Sequence, residues 1–225
     1  MRHPSSARLD RFPLRIYLGA AGLLALSAAA LLLATYLRGI PLVRMLRDPA
    51  SYYDYSPFSG MISYGGILLM TAATAISGFA AATGLRWRGV LAGVAAFSGY
   101  FVLDDLFMLH EGVWPRLGVP EEVIMTLFAV GGLAILLAVR AQAGPERTWG
   151  LYVALGLMVG SILIDMSLQS DPATVVEDLL KFTAIGVWAL FWTGVASGAV
   201  AAEAEAEAAM PAPAKVIKLE GAKWR

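Results

Sequence analysis

The chain has no cysteine, which excludes disulfides, thiolate-bound metals, iron–sulfur clusters and a cysteine nucleophile. It has only two histidines, His3 and His110, so a bis-histidine haem site within one chain would have to use the N-terminal residue. Charge is scarce as well. Only 15% of residues are charged, against about a quarter in soluble domains, and the formal net charge is zero. No overall field therefore draws nucleic acid or an acidic substrate, and no nucleic-acid partner is expected. Neither HExxH nor GxSxG occurs, which removes the commonest local signatures of zinc hydrolases and serine hydrolases.

What the chain does have is hydrocarbon. It is 58% hydrophobic over 225 residues, with a mean hydropathy of +0.67. A membrane-crossing helix needs about 20 apolar residues, and six segments qualify: 14–36, 61–83, 89–110, 122–140, 149–169 and 174–200. The expected fold is all-α, a polytopic membrane bundle of six transmembrane helices within residues 1–202. The apolar run from Ile16 to Leu37 exceeds the roughly 7–15 residues of a signal-peptide core, so it reads as a retained first helix. Residues 203–225 form a tail rich in Ala, Glu and Pro, expected to be disordered or to dock on a partner.

Lysine and arginine set the expected orientation. With both termini inside, twelve basic residues fall in inner segments and four (Arg38, Arg44, Arg47 and Arg116) in outer ones. The expectation is N-in/C-in, in a bacterial inner membrane. The pairs Gly89/Gly93, Gly156/Gly160 and Gly194/Gly198 have GxxxG spacing and predict close helix approach. The longest outer loop holds Tyr52, Tyr53, Tyr55 and Phe58, expected to form an interfacial aromatic belt.

Against this background the stretch "LDDLFMLHE" at 103–111 stands out. It places Asp104, Asp105, His110 and Glu111 at the outer end of the third segment, at the same depth as Asp165 on the fifth and Glu177, Asp178 and Lys181 on the sixth. A charge at the bilayer centre costs about 2.5–3.5 kcal/mol, so such a set needs partners, protons, a cation or water. On a regular helix Asp104 and Glu111 lie within roughly 20° of each other, while His110 points about 120° away from Asp104. Glu177 and Lys181 have the i, i+4 spacing of an ion pair. Ser161, Asp165 and Gln169 form a polar stripe, and Glu121 and Glu122 read as the first turn of a helix.

Six acids against one lysine and one histidine favour a bound cation or protons. The expected metal ligands are Asp104, Glu111, Glu177 and Asp178 for a divalent ion, with Asp165 and His110 as acid–base groups and Lys181 and Asp105 as charge-pairing residues. Such a site suits a metal-dependent lipid hydrolase. The alternatives are an ion- or proton-coupled transporter and a non-catalytic accessory subunit of a larger membrane complex. Membrane lipids are expected partners in each case, with a membrane-protein partner or a homo-oligomer in the last.

Overall fold

The computed structural model describes residues 14–46, 53–56, 58–83, 87–144, 147–168 and 170–209, and every regular element among them is helical. Gln169, Tyr52 and residues 210–225 of the expected tail lie outside the described residues. The chain divides into two compact units, residues 1–59 and 60–225.

The first unit holds α1 (Leu14–Leu37), followed by a single helical turn at Val43–Leu46. Leucine and alanine dominate α1 and give it strong helix propensity. Two of its hydroxyls are satisfied within the helix, Ser27 Oγ donating to the Leu23 carbonyl and Thr35 Oγ1 to the Leu31 carbonyl. That arrangement lets a polar side chain sit in hydrocarbon. Gly39, at φ +69°, follows the helix end, a backbone setting that glycine adopts without steric penalty.

The second unit contains α2 (Met61–Ala82), α3 (Arg88–Phe107), α4 (Glu121–Ala143), α5 (Trp149–Ser167) and α6 (Asp171–Ala209). These five and α1 are the six helices long and apolar enough to cross a membrane. They coincide with the six expected segments, with two shifts: the third stops at Phe107, and the sixth continues to Ala209.

In the second unit α2 packs against α3 and α6, and α6 against α5, while α4 touches α3 and α5 only sparsely. Met70, Leu91, Val94, Leu151, Ile185 and Trp192 form the fully buried centre. Small residues such as Ala73, Ala80 and Ala154 bring the backbones together, as lipid-embedded packing requires. An aromatic chain of Phe97, Trp188, Trp192 and Phe191 runs through the interior at centroid distances of 5.1–5.6 Å. Each such pair contributes about 0.5–1.5 kcal/mol beyond its area. Trp188 Nε1 donates to Ser98 Oγ at 3.0 Å, so both buried polar groups are paired across α6 and α3.

The GxxxG expectation is corrected. A methyl group at Gly89, Gly93, Gly156, Gly194 or Gly198 would meet nothing within 4 Å, and Gly160 is in ordinary contact with Leu180 at 3.7 Å. The tight approaches are elsewhere: Gly131 under the Phe97 ring at 2.9 Å, Gly132 against Leu155 at 3.0 Å, and Gly150 against Phe191 at 2.9 Å. These glycines accept a neighbour's side chain, whereas the GxxxG pairs were expected to let two backbones meet.

Candidate functional site

The site begins where α3 stops. Met108 takes the left-handed conformation (φ 47°, ψ 49°), its N–H bonding the Asp104 carbonyl, and the chain then makes a π-helical turn at Leu109–Val113. Backbone bonds hold that turn, Gly112 N–H to Met108 at 2.7 Å and Trp114 N–H to Leu109 at 2.8 Å. Trp114 Nε1 also donates to Tyr100 Oη at 2.9 Å, tying the turn back to α3. Tyr100 in turn lies against Phe128 of α4, with centroids 5.5 Å apart.

This reversal moves His110 off the face a regular helix would give it. Its Nδ1 lies 2.5 Å from Asp104 Oδ2, and its Nε2 lies 3.3 Å from Glu111 Oε1. The imidazole therefore bridges a buried carboxylate, 4% exposed, and a solvent-accessible one, 59% exposed. Reasoning from a regular helix held His110 apart from Asp104, and the break at Met108 overturns that.

A second pair spans two helices. Lys181 Nζ of α6 donates to Asp105 Oδ1 of α3 at 2.5 Å and lies 5.8 Å from the centre of the Phe101 ring. The expected Glu177–Lys181 pair does not form; Lys181 uses Asp105 instead. Glu177 feels the charges of Asp165, Asp178, Lys181 and Glu111.

Both pairs border a cavity of about 520 Å³ lined mainly by α3, α4, α5 and α6, within the roughly 300–1,000 Å³ usual for ligand sites. Asp104, Asp105, His110, Glu111, Asp165, Glu177 and Lys181 all line it, so seven of the eight expected site residues meet at one end of one space. Asp178 does not; it faces a separate pocket of about 10 Å³ on the other side of the Asp105–Lys181 pair. Among the described residues no group of three or more His, Asp or Glu side chains is placed to hold a metal ion. Asp104, Glu111, Glu177 and Asp178 are thus not gathered to a point.

Away from this end the lining turns apolar, with Phe97, Leu136, Leu155 and Met158. It reaches Tyr152, whose Oη accepts from Arg140 at 3.4 Å. Sequence reasoning missed Glu121: it was read as an ordinary first-turn acid, yet it lines the acidic end with Met125 and Phe128. The available signal was its position just after Pro120, at the end of the bundle where the other acids fall.

Three buried polar atoms have no partner among the described residues: Ser77 Oγ, Trp192 Nε1 and Asp104 Oδ1. Of these three residues, only Asp104 lines the cavity. An unsatisfied buried acceptor costs about 1–3 kcal/mol, more when charged, so Asp104 calls for a proton, a water or a ligand group at Oδ1.

A family model described as Domain of unknown function (DUF8692) matches residues 16–195, a stretch that includes every residue lining the cavity. No curated protein and no solved structure matches the chain.

Proposed function

The chain belongs to the DUF8692 family, and we propose that it is a multi-pass membrane protein that moves a proton between Glu111 and the buried Asp104 through His110, at the mouth of a ligand cavity. The observation that carries this reading is the place of His110, hydrogen-bonded through Nδ1 to Asp104 and with Nε2 3.3 Å from Glu111 Oε1. With Nδ1–H donating to Asp104, the neutral ring offers Nε2 as a base toward Glu111. A proton arriving from Glu111 makes the imidazolium, which both carboxylates stabilise. Release of the Nδ1 proton to Asp104 then returns the ring to neutrality, and one proton has moved inward. Asp104 lines the cavity, which suits exchange with a bound ligand.

The positive-inside bias supports an outer-leaflet position for this end of the bundle. Apart from Tyr152, the cavity's far end lacks titratable groups, which favours acid–base work at one face over a relay across the membrane. Divalent-metal hydrolysis has less support, because among the described residues its ligands would have to be drawn together from separate positions.

The test is nitrogen-15 NMR of the histidines, feasible because His3 and His110 are the only two. The His110 Nδ1 signal should carry the signature of a strong hydrogen bond, lost in Asp104→Asn. Glu111→Gln should change only Nε2. A His110 spectrum of free imidazole, indifferent to both substitutions, would overturn the proposal.

A further inference from the structure

The charge at the cavity mouth is not balanced by the pairs already described. Asp105 is matched by Lys181, and Asp104 and Glu111 share His110. That leaves Glu121 of α4, Asp165 of α5 and Glu177 of α6, all lining the cavity and none in an ion pair among the described residues. They come from three helices and are not placed to hold a metal ion, whose ligands must all lie at about 2.0–2.6 Å. A larger cation with several N–H donors tolerates such spacing.

Behind the mouth the cavity is long. From Asp165 to Tyr152 along α5 is roughly 20 Å at about 1.5 Å per residue. Spread over that length, 520 Å³ leaves room for one extended hydrocarbon chain. The walls there are Phe97, Leu133, Leu136, Leu155 and Met158. Leu133 of α4 and Val159 of α5 line the cavity and are each 52% exposed, so the space opens sideways between these two sparsely touching helices. In a membrane that opening faces hydrocarbon. Asp104, 3% exposed, also lines the cavity, and its Oδ1 has no partner among the described residues.

We infer that the cavity binds a single-chain amphiphile with a cationic headgroup, a long-chain primary amine in its simplest form, which enters from the bilayer between α4 and α5. The ammonium group sits among Glu121, Asp165 and Glu177, and the chain fills the apolar slot. This names the ligand class of the same cavity and rests on the proposed function only for proton exchange at Asp104.

The test is native mass spectrometry of the full chain in detergent with hexadecylamine, hexadecanol or hexadecanoate. The amine should bind about tenfold more tightly than the alcohol, and the carboxylate weakest of all. In the double variant Asp165→Asn with Glu177→Gln, the amine should lose about tenfold and the alcohol little, so retained alcohol binding reports an intact cavity. His110→Gln should keep the preference for the amine, which separates failure of the relay from failure of this inference. Carboxylate binding equal to or tighter than the amine, or an amine preference that survives the double variant, would overturn it. So would failure of all three chains to bind the wild type.

Discussion

Asp105 and Lys181 show how much one pair has to accomplish in an apolar bundle. They are 14% and 29% exposed at the side chain, and they meet at 2.5 Å between α3 and α6. Breaking a buried pair by removing one partner typically costs about 3–5 kcal/mol, while an exposed pair contributes about 0–1 kcal/mol. This pair lies between those limits. Lys181→Met alone should destabilise by about 2 kcal/mol because Asp105 is left unpaired, and Asp105→Asn by a similar amount. The double variant should lose clearly less than the sum, giving a coupling of at least about 1 kcal/mol in a double-mutant cycle of thermal unfolding in detergent. Strict additivity would mean that the pair is solvated and structurally idle.

At the scale of the element, the end of α3 governs the site. A non-glycine residue in the left-handed region costs about 1–2 kcal/mol, and Met108 sits there at φ 47°. Met108→Gly should be neutral or stabilise by up to about 1 kcal/mol with the His110 bridge intact, whereas Met108→Val should destabilise by more than about 1 kcal/mol and weaken the Nδ1 signal. Thermal unfolding together with the histidine spectrum checks both. Helix α4 offers a comparable contrast. Gly131→Ala should destabilise by about 1–3 kcal/mol as its methyl meets Phe97, while Gly194→Ala, in open space within this chain, should be neutral or gain up to about 1 kcal/mol from helix propensity.

The six helices were legible because length and hydropathy follow directly from crossing hydrocarbon. That Asp104, Asp105, His110, Glu111, Asp165, Glu177 and Lys181 would come together was legible too, and all seven line one cavity. Their pairing was legible only in part, in the charge-pairing role expected of Lys181 and Asp105. A methionine carries no sign that it will turn left-handed, so the meeting of His110 with Asp104 depended on a break that hydropathy does not register. Lysine at i+4 from Glu177 suggested a local partner, and Asp105, seventy-six residues away in sequence, took it instead. Glycine spacing misled for a related reason. GxxxG marks where a helix is thin, and only the three-dimensional arrangement decides which thin place meets a neighbour.

For the whole molecule, a chain that naturally lacks cysteine allows sidedness to be read directly. A single cysteine at Ser59, before α2, should react with a membrane-impermeant maleimide added from outside, and one at Gly144, between α4 and α5, should react only after permeabilisation. The reverse pattern would turn the bundle over and place the acidic mouth in the cytoplasmic leaflet. The same experiment decides which aqueous compartment supplies protons to Glu111.

The position of Trp188 has a further consequence. Its indole lines the cavity while its N–H stays bound to Ser98 and its ring remains packed between Phe97 and Trp192. The cavity wall thus includes a fixed chromophore, so a guest in the slot would alter the light this ring emits without needing to displace it.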